Sequence, residues 1–195
     1  MTKDGLLKSI AETGYNVGFG AKKHFATYDI VEKAPGWIGF ISLAVGILSL
    51  VFEGLSAKLP SACLTIAGVV ALYIAFYDRD KGKYERAGKE MTQLFNQLRD
   101  LYRQVQADAD LKVSAGSLGL IEGRFYEVAI SKQILFSDWY AHYKFFAQHQ
   151  IEWIDEQKHF TWRDQVPLSF RACLIAVAFL VVSAVVVAGI SYWRA

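Results

Sequence analysis

Gly39, Ser42, Gly46 and Ser49 recur three and four residues apart in the apolar run GWIGFISLAVGILSLVFEG, and the same rhythm then reaches Glu53. Within lipid, small residues let helix backbones approach closely, while Ser hydroxyls and a carboxylate offer oxygen to water and cations. Two readings of these five residues stand side by side. They form a helix-packing seam, or they line a pore in which Glu53 makes a cation-favouring ring at the outer mouth. A second set, Trp139, Tyr143, His149 and Trp153, lies in the segment 136–162, where nine of 27 residues are aromatic. That excess suits a ligand or partner surface, or else burial in a helical bundle or in the headgroup layer.

Other chemistry is poorly served. Glu156 and His159 make one Glu-x-x-His step, but a bundle metal site needs a second step and further glutamates from other helices. His142 and His149 fall on an apolar stripe, where a packed histidine is the plainer reading. Gly14, Gly18 and Gly20 in GYNVGFGAKKHF match neither the dinucleotide fingerprint nor a P-loop, and read as tolerated glycines in a membrane-proximal helix. No nucleophile elbow or Cys/His pairing outside the apolar segments suggests covalent catalysis. The expectation is a protein that is not an enzyme and carries no cofactor and no metal.

The elements that must position these residues follow from hydropathy and charge. Of the 195 residues, 53% are hydrophobic, and the mean hydropathy of +0.22 points to a membrane class. A formal charge of +2 offers no strongly basic surface for direct nucleic-acid binding. Cys63 and Cys173 sit in apolar windows and suggest no disulfide framework. The first 35 residues lack the order of a signal peptide. Three windows, 37–55, 59–77 and 172–193, satisfy the length a bilayer requires. The link SAKLP makes the first two an antiparallel hairpin, with Pro60 near the start of the second. Five lysines precede the hairpin and thirteen Lys or Arg lie between Arg79 and Arg163, against Lys58 alone in the turn. The positive-inside rule therefore puts the N-terminus and the middle region in the cytoplasm, and Arg194 and Ala195 outside. Trp37, Tyr192 and Trp193 fit an interfacial aromatic belt, and Arg171 fits snorkelling to the headgroups.

In the middle region Ala87, Met91, Leu94, Leu98, Leu101 and Val105 alternate by three and four, a coiled-coil-like seam. Only Gly82 and Gly88 interrupt the path from the second span, so one helix over about 59–107 is expected. DADLKVSAGSLG supplies turn chemistry, and a second seam follows through Leu118, Ile121, Phe125, Val128, Leu135, Trp139, His142, Phe146, His149 and Trp153. The expected fold class is an all-α integral membrane protein: a transmembrane helical hairpin, a long cytoplasmic antiparallel helix pair and a third, C-terminal transmembrane helix. The corresponding divisions are a cytoplasmic juxtamembrane helix at 1–36, the hairpin at 37–77, the cytoplasmic helical domain at 78–167 and the last helix with its tail at 168–195.

YNVGFGAKKHF ahead of the hairpin, the turn EGLSAKLP and the helix YERAGKEMTQLFNQLRDLYRQV after it together resemble the SLATT family, the SMODS- and SLOG-associating two-transmembrane effectors of bacterial conflict systems. The likeness covers about 15–150, and the third window exceeds the family's two-span pattern. The resemblance implies a pore-forming effector in the bacterial inner membrane, a homo-oligomer in the lipid bilayer that answers to a nucleotide-sensing or other defence-system partner protein. The alternative is a non-conducting membrane anchor or scaffold that docks a cytoplasmic partner.

Overall fold

Helix α1 (Lys3–Leu48) begins where the Thr2 hydroxyl accepts the Gly5 N–H at 3.2 Å, with Asp4 in the first turn. Both features favour a helix start, by satisfying an orphan donor and by complementing the positive end of the helix dipole. Pro35 removes one backbone donor from its interior, yet α1 continues through it. The expected boundary at 36 therefore lies inside a single helix. The computed structural model describes residues 2–108 and 110–194, with 184 and 187–194 given by backbone alone. It falls into two compact units, 1–158 and 159–195.

In the first unit α1 ends at Leu48, short of the expected 55, and a 3-10 turn over Glu53–Ser56 leads into α2 (Lys58–Ala75). The long helix expected over 59–107 is interrupted. A second 3-10 turn, Asp78–Asp80, separates α2 from α3 (Lys81–Gln106). The α3 seam is buried at Ala87, Met91, Leu94, Leu98, Leu101 and Val105, but its main partner is the first half of α1. Asp108 takes a left-handed conformation (φ 65°), and the Asp110 carboxylate caps α4 (Leu111–Val128) by accepting the N–H groups of Lys112 and Val113 at 2.8 and 3.1 Å. Gly116 and Gly119, expected in a turn, are thus helical.

The second seam does not form one helix either. Ala129 is extended, Phe136 is left-handed (φ 67°), and α5 (Ser137–Gln148) and α6 (Glu152–Lys158) follow. Both pack on α1. The expected long pair is therefore cut short: α3 packs with α4, but α5 and α6 pack on α1. Its spacing misleads because residues 129–136 serve another purpose, described below. In the second unit α7 (Leu168–Arg194) follows Pro167, and the Arg171 Nη2 donates to the Arg163 carbonyl at 3.2 Å. The side chains of Tyr192, Trp193 and Arg194, and the whole of Ala195, lie outside the described residues.

The glycines of GYNVGFG are close-approach positions. A Cβ at Gly14 would run into the Trp153 ring, and one at Gly18 would lie 2.8 Å from Phe95 and 2.9 Å from Phe145. Any side chain there must push an aromatic ring out of a close-packed interior. Gly116 on α4 has open space instead. Gly18→Ala should lower the stability of the bundle by about 1–3 kcal/mol through overpacking, whereas Gly116→Ala should raise it by up to about 1 kcal/mol through helix propensity. Thermal unfolding of the detergent-solubilised chain, followed by circular dichroism, checks both signs.

Candidate functional site

The second half of α1 and the whole of α2 form an apolar hairpin. Two helical stretches, within Lys3–Leu48 and Lys58–Gln106, are long and apolar enough to cross a membrane, and 6% of the residues in each apolar window are buried by the chain itself. The half-buried positions include Ile38, Ser42 and Val45 on α1 with Ser49 at its C-cap, beside Ala44, and Pro60, Leu64, Ala67 and Ala71 on α2, continuing to the buried Ile74. This spacing of three and four marks the contact between the two helices. The small-residue stripe is consequently divided. Ser42 and Ser49 lie on the side of that contact, and the Ser49 hydroxyl donates to the Gly46 carbonyl at 2.7 Å. Gly39 and Gly46 open outward, and a Cβ at either position would meet nothing within 4 Å. Glu53 is exposed in the 3-10 turn, so the helical rhythm does not carry through to it.

Where the hairpin meets the bundle, the chain is over-wound. The N–H groups of Phe76, Tyr77 and Asp80 donate three residues back, to Tyr73, Ile74 and Tyr77, at 3.3, 2.9 and 3.0 Å. The segment 129–136 crosses this joint as a strap. Tyr84 Oη donates to the Lys132 carbonyl at 2.7 Å, Tyr77 Oη donates to the Gln133 carbonyl at 3.3 Å, and the Leu135 N–H donates to Tyr73 Oη at 3.3 Å. Beneath it Ile134 is buried with Val31, Ile74, Tyr77 and Tyr84, and Ile130 packs against that cluster. The Ile130 N–H donates to His24 Nε2 at 3.0 Å, which leaves Nδ1 to donate to the Gly20 carbonyl at 2.7 Å. Burial holds the His24 pKa below its ordinary value; the Gly20 bond opposes this and Lys23 adds to it. Neutral imidazole is what an accepting Nε2 requires.

Ion pairs fasten the same region. Lys81 bridges Glu32 at 2.8 Å and Asp78 at 3.0 Å, Lys23 meets Asp138 at 2.7 Å, and the largely buried Lys144 and Asp29 pair directly. Sequence reasoning passed over His24, Gln133 and the three tyrosines. The available signal was the spacing of Tyr73, Tyr77 and Tyr84 by four and seven, which puts them on one side of a helix.

The aromatic residues singled out by composition do not share one surface. Trp153 is buried, with its ring centroid 5.4 Å from Phe95 and 5.3 Å from Tyr102. His149 tilts on Phe95 at 4.4 Å. Trp139 rests on Phe136 at 4.9 Å, and Tyr143 is exposed, stacked on Tyr140 at 6.5 Å. Beside Trp153 a cavity of about 180 Å³ has Arg99 and Arg103 matched by Glu152 and Glu156 in its lining. The Glu156 carboxylate already accepts from Tyr102 Oη at 2.8 Å. Among the described residues no three His, Cys, Asp or Glu side chains gather as metal ligands.

A bundle built on an apolar hairpin of two membrane-length helices now has a counterpart among known families. Residues 1–174 match the SMODS and SLOG-associating 2TM effector domain 6. The chain belongs to this family. The match of this SLATT domain takes in the bundle, the joint and the hairpin, and ends a few residues into α7. No curated protein and no solved structure shows significant similarity to the chain. The two transmembrane segments in the family's description correspond in number to the two membrane-length stretches. The apolar part of α7 with described side chains, Leu168–Ser183, is shorter than that length.

Three histidines, His24, His142 and His149, should make the SLATT bundle acid-sensitive. Burial, with help from Lys22 and Arg99 and against Glu152, lowers the His149 pKa from its ordinary 6.5 to about 4. The unfolded chain therefore takes up this proton first, so the stability it contributes is complete above about 6.5 and is lost as the pH falls towards 4. Burial also lowers the pKa of His24 and of His142. The thermal midpoint should fall across that window, and His149→Phe, which keeps the ring packing, should flatten the fall. An unaltered slope in the variant would count against this assignment.

Proposed function

We propose that this SLATT protein is a membrane effector of a bacterial conflict system, which oligomerises and disrupts the inner membrane when activated. The observation that carries this reading is the hairpin: two membrane-length apolar windows, in each of which the chain itself buries 6% of the residues. A surface of that kind has to be covered by lipid or by further copies. The lysines ahead of the hairpin and the basic cluster after it support a cytoplasmic bundle under the positive-inside rule. In this arrangement α7 adds a third crossing and leaves the C-terminus outside.

The outward-opening Gly39 and Gly46 then serve contacts between copies, because bare backbone permits close helix approach in lipid. Ser42 and Ser49 lie beside those contacts. Glu53, exposed in the turn, stands at the outer mouth, where a ring of carboxylates favours cations. The upstream partner is a nucleotide-sensing or other defence-system protein acting on the bundle, to which the exposed Tyr143 and the half-buried Trp139 offer a surface. No step of this reading calls for catalysis or a cofactor.

Release of a trapped dye or ions from liposomes holding the purified protein tests the proposal. Vesicles that stay sealed under every activating condition would instead identify a passive anchor. Gly46→Leu meets open space within one chain, so it should leave the monomer folded and shrink the oligomer seen by cross-linking or light scattering. In a conducting assembly Glu53→Gln should reduce the preference for cations; an unchanged reversal potential would sink the ring.

A further inference from the structure

The break between α2 and α3 is not made by a proline or a glycine. LYIAFYDRDKGKY contains no proline, and its one glycine, Gly82, lies inside α3. Phe76 (−63°, −16°), Tyr77 (−97°, −12°), Asp80 (−102°, 0°) and Lys81 (−54°, −39°) all occupy the right-handed helical region. Small changes, mostly in ψ, would convert the joint to α-helix and exchange the poorer three-back hydrogen bonds for four-back ones. Something outside the joint holds it over-wound.

The strap is the element in position to do so. It is bonded to a tyrosine before the joint (Tyr73), one within it (Tyr77) and one after it (Tyr84), and it anchors at its far end to His24 of α1. Ile134 wedges into the cluster that contains Ile74, Tyr77 and Tyr84. The strap is itself under tension. It ends at Phe136, a bulky residue in the left-handed region (φ 67°, ψ −1°), where such side chains rarely sit and which persists only when surroundings enforce it. Leu135 and Phe136 are 61% and 55% exposed, so this end can be reached without opening the core.

We propose that the strap 129–136 is a release catch. While it grips the tyrosines, the joint stays over-wound; when it lifts, residues 76–80 rewind to α-helix and turn α2 about its own axis. A 3-10 helix advances about 120° per residue and an α-helix about 100°, so five residues rewinding turn α2 by on the order of 100° and shorten the joint by about 2.5 Å. The turn carries Leu64, Ala67, Ala71 and Ile74 away from α1 and presents another face of α2 in their place. The catch itself follows from the joint's geometry; its consequence for the membrane rests on the effector reading above.

The test uses the full chain in lipid nanodiscs. Tyr77→Phe with Tyr84→Phe removes the two hydroxyls that donate to the strap and keeps the ring packing. Hydrogen exchange should then quicken roughly tenfold at the Ile130 and Leu135 amides, the scale of one or two lost hydrogen bonds. In the same variant, nitroxides on the native Cys63 and on Asn96→Cys, with Cys173→Ser, should show a distance distribution shifted by about 5 Å or more, as a rotation of that size requires at the radius of a helix side chain. Faster strap exchange with an unmoved distance would mean that the strap is local packing only and would overturn the catch, as would unchanged exchange. Should the double variant fail to fold, Tyr73→Phe, which takes away the acceptor of the Leu135 N–H and the long 3.4 Å contact with Tyr77 Oη, carries the same two readouts with a smaller shift. Vesicle leakage plays no part in either measurement, so the catch and the effector reading can fail separately.

Discussion

Helix α1 belongs to two environments at once, and its unbroken run imposes a constraint that the other elements of the first unit must satisfy. Its first half is the axis of the bundle, with Leu6, Ile10, Val17 and Ala21 buried. Its second half carries Trp37, Phe40, Leu43 and Ile47 largely exposed. A helix this long transmits rotation and tilt along its length, since each turn is bonded to the next. The bundle therefore cannot shift about α1 without loading the hairpin. The glycines at 14 and 18 make the arrangement possible by letting the Trp153, Phe95 and Phe145 rings reach the α1 backbone.

Beside that rigid rod runs a second leg that is not rigid. The return path from hairpin to bundle, α2 to α3, passes through a 3-10 joint, and short 3-10 stretches within longer helices often mark hinges. Ion pairs from α1 reach two of the elements packed on it, Lys81 of α3 through Glu32 and Lys144 of α5 through Asp29. The exposed Glu32–Lys81 pair contributes little to stability, while the Asp29–Lys144 pair is largely buried; both set register between elements. The arrangement has one stiff leg and one jointed leg, and the strap lies across the joint.

Family membership agrees with this division of labour. The match to the 2TM effector domain spans residues 1–174, so the bundle, the joint and the hairpin belong to a single domain, while most of α7 lies beyond it. The small and aromatic residues that composition brought forward are distributed by the structure: Ser42 and Ser49 beside the hairpin contact, Gly39 and Gly46 outward, Trp153 and His149 among the bundle's rings, Trp139 and Tyr143 nearer its surface.

Local sequence was enough for the all-helical character, the apolar hairpin with its short turn, the α3 seam and the family likeness, because hydropathy and three-four spacing report on one helix at a time. Those signals depend on nearest neighbours along the chain. Only the tertiary structure decided which seams meet. Residues 129–136 continue a helical spacing by type, yet they leave the helix because Ile134 is buried, Ile130 partly so, and backbone groups are bonded at a joint made by α1, α2 and α3. The 3-10 turn at Asp78–Asp80 and the closeness required at Gly14 and Gly18 have the same origin. Each is set by side chains remote in sequence, and such contacts leave no periodic mark on the residues that answer to them.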